Sequence, residues 1–205
     1  MKTINASILE KNHKFFMECA RIHINEIPGG FLPTLGARFL SKLYEVIAKS
    51  KHSFLILAVE NSKVVGFIAI SLHTKRFYLN FFWLESYKTL RYIPLSKLGT
   101  NIIKKMIETL KYPFSQKKSQ KNDYISDSEI FNFCVDSSLQ GRGVGQLLFN
   151  NAINKLKDFK VQKIKIVTGS LQNKAQKFYL QSGARFVYKT SVHKGEESIV
   201  YEYLI

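Results

Sequence analysis

Only two cysteines occur in the 205 residues, Cys19 and Cys134, and their separation makes no metal-ligand or redox spacing. That excludes a metal or redox site built on cysteine, and a reducing cytosol is the expected setting. The N-terminal "MKTINASILEKNHKFF" has no apolar h-region, so no secretion signal is expected. The longest apolar run, "FYLNFFWL" (Phe77 to Leu84), falls far short of the roughly 20 residues that a spanning helix needs. A soluble protein, in contact with membrane surfaces at most, is the expectation. Carboxylates are scarce too: 15 Asp and Glu face 31 Lys and Arg, for a net charge of +16. Such a field concentrates anions, whether nucleic acid, acidic lipid or phosphorylated small molecules, and repels strongly basic substrates.

A hydrophobic share of 45% and a charged share of 22% are those of an ordinary globular chain, and the length suits one domain over 1–205. Residues 3–9 read as a short first strand. Two helical patterns, His13 to Ile27 and Leu32 to Ser50, are separated by the breaker "PGG". The β-branched runs "SFLILAVE" and "KVVGFIAISL", split by Asn61-Ser62, predict a hairpin. Glu129 to Val135 reads as a strand and Gly143 to Phe159 as a helix with Val144, Leu147, Leu148, Ile153 and Leu156 at helical spacing. Another strand ("KIKIVTG"), a helix stopped by Gly183 and a hairpin closed around "HKGEE" complete the chain. The class is mixed α/β, with an early antiparallel hairpin, a late βαβα unit and a final hairpin.

Residues 74–128 are too long for a connection in a domain of this size, and loops of that length are usually functional or disordered. They carry eleven Lys/Arg against four Asp/Glu, so nearly half of the net charge lies in about a quarter of the chain. The segment begins aromatic ("RFYLNFFWLESYKTLRYIP"), continues as a basic amphipathic helix ("LSKLGTNIIKKMIETLKY") and ends polar ("SQKKSQKNDYISDS"). A lid over an acceptor site, an anionic-membrane contact and a solvated linker are the readings it allows.

The stretch "FCVDSSLQGRGVGQLL" places Gly141, Gly143 and Gly145 between a strand and a helix. A dinucleotide fingerprint would need glycine at 146, where Gln146 stands, and no Gly-Lys-Ser/Thr exists for a Walker loop. What matches is Gln/Arg-x-x-Gly-x-Gly/Ala, on Gln140, Gly143 and Gly145. Such a turn gathers unpaired backbone N–H groups at a helix N-terminus, where the dipole favours a phosphate. Arg142 can add full charge at its rim.

"LQGRGVGQLLFNNAI", followed by "IVTGSLQNKAQKFYLQSGARF", resembles the acyl-coenzyme A site of the GNAT superfamily of N-acetyltransferases. The resemblance is strongest over Glu129 to Val187 and extends to the earlier helices and hairpin, leaving out 74–128. It implies a GNAT fold: a mostly antiparallel, splayed sheet flanked by helices, here with a long helical insertion. It also implies direct transfer from acetyl-CoA to an amine, with no acyl-enzyme and no metal. By this resemblance, backbone around Cys134 and Val135 would pair with the pantetheine arm. Gln140, Gly141, Arg142, Gly143, Val144 and Gly145 would bind the pyrophosphate, and either Gln172 or Asn173 would contact the arm. Tyr179 matches the tyrosine that protonates the departing thiolate. Glu129 aligns on the glutamate that serves as base in the histone-acetylating branch, where burial would raise its pKa toward neutrality; ordered water is the alternative base. The segment "IHINEIPGGFLPTLGARFL" resembles the substrate-side helices of a bacterial subgroup associated with surface polysaccharides, which would put His23 and Glu26 near the acceptor.

Fold does not choose the amine. The net charge disfavours polycationic acceptors and favours an anionic carrier such as a nucleotide-linked amino sugar. Three readings stand: an N-acetyltransferase for a small amine, a protein (lysine or N-terminal) acetyltransferase, and a non-catalytic module holding acyl-CoA or an anionic surface. The intact Gln140, Gly143, Gly145 and Tyr179 speak against the last. The expected setting is cytoplasmic, as monomer or homodimer, with peripheral contact to anionic membrane through the insertion and nucleic acid an unfavoured partner.

Overall fold

The computed structural model describes residues 1–6, 13–94, 99–115, 126–193 and 196–205. Parts of four expected elements lie outside the described residues: 7–9 of the first strand, 95–98 of the basic helix, 116–125 of the polar tail and 194–195 of the final hairpin's turn. Seven strands form one sheet in the order β1-β2-β3-β4-β5-β7-β6. They are β1 (Lys2–Asn5), β2 (Ser53–Glu60), β3 (Lys63–Ser71), β4 (Glu129–Val135), β5 (Lys163–Gly169), β6 (Arg185–His193) and β7 (Glu196–Leu204). All neighbours are antiparallel except β4 and β5. The helices are α1 (His13–Glu26), α2 (Phe31–Thr34), α3 (Ala37–Lys49), α4 (Thr74–Asn80), α5 (Ser86–Leu90), α6 (Thr100–Ser115), α7 (Val144–Asp158) and α8 (Asn173–Gln181), with a π-helical turn at Phe81–Glu85 between α4 and α5.

β2 and β3 are buried on both faces, which is why "SFLILAVE" shows no polar alternation. Leu55, Leu57 and Val59 pack under α1 and α3, while Phe54, Ile56 and Ala58 pack with α7 on the other face. In α1 the buried Phe16, Cys19, Ala20 and His23 recur at helical spacing and make one stripe against the sheet. Asn61 and Ser62 take positive φ (49° and 59°), the two-residue turn whose twist suits a β2–β3 hairpin.

The insertion is largely helical. It runs across the α1/α3 layer, where α5 packs on α3 and α6 on α4. Among the described residues no helix is long and apolar enough to cross a membrane.

Candidate functional site

The centre of the sheet opens into a fork. β4 and β5 pair only at Glu129↔Lys165 and Ile130↔Ile166. On the β3 side, Ile70 faces Ile130 and Ala69 faces Asn132, leaving Phe131 as a bulge. A bulge bends its strand and increases the local twist, so β4 turns away from β5 beyond it. Successive strand residues aim their backbone groups to alternate sides, so part of the Phe131–Val135 backbone faces the gap.

At the end of β4 the chain enters a short 3-10 turn (Ser137–Leu139) and then α7. Gly141 and Gly143 sit at φ +77° and +80°, conformations that favour glycine. Gly143 caps α7 with no side-chain bond, so the first N–H groups of that helix emerge uncapped at the mouth of the fork. Beside them, Tyr179 of α8 is buried in a nest of rings, 6.3 Å from Phe133 and 6.4 Å from Phe149 between centroids.

Comparison with known proteins meets this geometry directly. A family model described as Acetyltransferase (GNAT) family matches residues 120–184, which contain the fork, the glycine turn and α8. Over these residues the chain is similar to the GNAT acetyltransferases. Solved structures extend the GNAT likeness to the whole fold. An aminoglycoside 6'-N-acetyltransferase complexed with coenzyme A has a TM-score of 0.59 at 12% identity, covering 100% of this chain and 97% of its own. A GNAT acetyltransferase from Staphylococcus aureus Mu50 gives 0.58 at 14%, over 99% and 98% of the two chains. Arabidopsis thaliana NAA60, in complex with a bisubstrate analogue, gives 0.57 at 12%, over 93% and 92%. At such identities the likeness speaks for the fold alone. Among curated proteins nothing matches.

Behind the fork of this GNAT sheet lies a cavity of about 390 Å³. β4, β5 and α8 supply one end, through Glu129, Asn132, Thr168, Gln172 and Tyr179; α2, α3 and the insertion supply the other. Among the described residues, Glu129 is the sole carboxylate on the lining, and no Lys or Arg lines it. Its partner lies just outside: the Lys165 ammonium, 2 % exposed, stands 2.7 Å from Glu129 Oε2. The expected picture of a carboxylate buried among apolar groups is therefore incomplete, since the parallel register β4–β5 sets a buried cation opposite it. Burial pushes the Tyr179 phenol well above its ordinary pKa, so it holds its proton at neutral pH. Burial, and then the Glu129 charge, push the Tyr78 phenol up as well. His23 is lowered to about 4 by burial, is neutral, and has Nδ1 2.6 Å from the Tyr44 hydroxyl.

The expected residues divide between two places. Glu129, Tyr179, Gln172 and His23 line the cavity together. Gln172 also accepts a 2.7 Å bond from Thr168, whereas Asn173 is exposed at the start of α8 and is absent from the lining. Gly141, Arg142, Gly143 and Gly145 form the exposed turn and the helix start; Val144 sends its side chain into the core below them. Glu26 belongs to this turn and not to the cavity. Its carboxylate accepts from the Ser137 N–H and from Gln140 Nε2, both at 2.9 Å. Gln140 also donates to the Val135 carbonyl at 3.0 Å, so its carboxamide braces the turn. Cys134 turns its thiol into the α1/α3 core, and burial pushes that thiol's pKa well up, which suits packing and not nucleophilic attack.

Sequence reading missed Lys165, Tyr78 and Asn132. A signal for Lys165 existed: in "KIKIVTG" the isoleucines take one face and the lysines the other, and a lysine set in from the end of a mid-sheet strand needs a buried partner. Lys163, at the strand end, is partly exposed and meets Glu202.

Proposed function

We propose that the protein transfers the acetyl group of acetyl-CoA to the primary amine of a small molecule. The observation that carries this reading is one fork joining an uncapped glycine turn to a cavity that holds both a carboxylate and a protonated phenol. Uncapped N–H groups at Val144 to Gln146, with Arg142 beside them, suit the pyrophosphate, and the open edge of β4 suits the extended arm. Acetyl-CoA brings the acetyl group as a thioester. The amine nitrogen bonds to the carbonyl carbon, and the C–S bond breaks with its electron pair leaving on sulfur. Glu129 takes the proton that the ammonium must lose, and Tyr179 supplies one to the sulfur. A backbone N–H of β4 facing the fork polarises the carbonyl oxygen.

A nucleotide-linked amino sugar is the weaker acceptor, because its phosphates would meet no lysine or arginine among the described residues of the cavity lining. The same reading puts the protein in the cytoplasm, which suits its two free, buried cysteines. It adds peripheral contact with anionic membrane through the insertion, where Phe82, Trp83 and Tyr87 are exposed close to Lys75, Arg76 and Arg91 in the chain.

Thiol release from acetyl-CoA over an amine panel tests the reaction. Tyr179→Phe should lower kcat by about 100-fold, at the lower end for a general acid, with coenzyme A affinity unchanged. Unchanged turnover would remove Tyr179 from the chemistry.

A further inference from the structure

The cavity has two unlike ends. Glu129, Asn132, Thr168, Gln172 and Tyr179 gather on the fork elements. Away from the fork the wall is Phe31, Leu35, Phe39, Leu43, Phe77 and Leu110, with further apolar groups from α5 and α6. The polar exceptions on that side are few. The neutral His23 is engaged with Tyr44, and Ser86 and Thr109 lie on the insertion helices and direct bonds to the carbonyls of Phe82 and Lys105. A polyhydroxylated or polycationic acceptor placed there would bury hydroxyls or ammoniums among groups that do not pair with them, which costs binding. An apolar body would gain from every methylene taken out of water. Glu129, the one carboxylate among the described lining residues, marks the end at which the amine nitrogen sits.

We propose that the acceptor is a small primary amine with an apolar body, an alkyl or arylalkyl amine, its nitrogen at Glu129 and its body in the α2/α3/α6 chamber. This rests on the acetyl-transfer reading and names the substrate class for it. The insertion then has a specific job: Phe77, Phe81, Met106 and Leu110 convert an open substrate face into an apolar chamber, and Tyr78, which brings one hydroxyl, adds its ring against Phe77 and Phe131.

The test is a series of unbranched amines from ethylamine to hexylamine with phenethylamine, set beside glucosamine, a UDP-linked amino sugar, an aminoglycoside and a short peptide. Burial of successive methylenes predicts that kcat/KM rises about fourfold per carbon until the chamber is full. Leu110→Asn should flatten that rise. Leu90→Asn, at a partly exposed position on the same wall, repeats the test if Leu110→Asn unfolds. A flat series, or faster turnover of the polar amines, overturns the proposal and leaves acetyl transfer standing. Better use of octanoyl-CoA than of acetyl-CoA would give the chamber to the donor's acyl chain and also overturn it. If no amine releases thiol although coenzyme A binds, the acetyl-transfer reading fails. Calorimetry with the coenzyme A-loaded protein then decides: tighter binding of hexylamine than of ethylamine upholds the chamber's preference, and equal or absent binding overturns it.

Discussion

The turn after β4 and the cavity behind the fork offer a ligand different things. Between Ser137 and Gln146 the chain is mostly exposed and presents backbone: two glycines at positive φ, an uncapped helix start and one arginine. A few bonds from Glu26 and Gln140 hold its shape. The cavity presents side chains gathered from nearly every layer, and its charged and titratable groups are buried: Glu129 with Lys165, His23 with Tyr44, and Tyr179 among rings. A backbone site tolerates side-chain change and is sensitive to backbone conformation. A side-chain site in the core has the opposite sensitivities.

That contrast is most exposed to test at Lys165. Removing one partner of a buried ion pair strands the other charge, so Lys165→Met should lower unfolding stability by roughly 3–5 kcal/mol in denaturant titrations. Glu129→Gln together with Lys165→Met should recover most of the loss, though not turnover. If Lys165→Met alone costs under about 1 kcal/mol, the pair behaves as a surface bridge and the cavity floor is wetter than described.

His23 gives the next largest effect. The histidine has a folded pKa near 4 and an ordinary value of 6.5, so the unfolded chain binds more protons in between. Stability is then full above about pH 6.5 and falls as pH drops toward 4, by roughly 3 kcal/mol in all. His23→Asn should remove that slope. A pH dependence that survives the substitution would place its source elsewhere.

Why the two places differ in legibility follows from the same contrast. The turn was readable because glycine spacing is a local signal: Gly141, Gly143 and the start of α7 fall where the pattern puts them. The strand-type runs at Glu129 and Lys163 were legible for similar reasons, since continuous apolar patterning marks a buried strand. The cavity was not. Lys165 meets Glu129 across 36 residues through sheet register, and Tyr78 reaches the cavity by way of a helix in the insertion. Glu26 was expected near the acceptor, with His23, from the resemblance of their segment to substrate-side helices. Three residues apart on α1, the two side chains diverge: His23 lies in the buried stripe and Glu26 lies beyond it at the helix end, against the turn. The Phe131 bulge, which opens the fork, has no residue-type signature at all.

At the turn itself a backbone change should act where a side-chain change does not. Gly143→Ala forces an L-residue to φ +80°, at a cost of about 1–2 kcal/mol, and should weaken coenzyme A binding about tenfold in calorimetry. Among the described residues no atom lies near enough to clash with the added methyl, so the strain would be conformational. An affinity as low in a variant at the ordinary-φ Gly145 would show that space at the helix start, and not the left-handed turn, is what the ligand needs.

The smallest effect belongs to the outer face of the insertion. Trp83 is 75% exposed and Tyr87 67%, and both follow α4, where Lys75 and Arg76 also face solvent. Aromatic rings with cations nearby are what a bilayer interface bearing anionic lipid would engage, and the attraction should weaken with salt. Sedimentation with phosphatidylserine-containing vesicles should detect binding at low salt, reduced about tenfold (about 1.4 kcal/mol) by Trp83→Ala. Because Trp83 is not among the residues lining the cavity, turnover of a soluble amine should not change. If turnover falls with vesicle binding intact, Trp83 acts through the chamber wall. The insertion would then be a roof over the acceptor, with no separate role at the membrane.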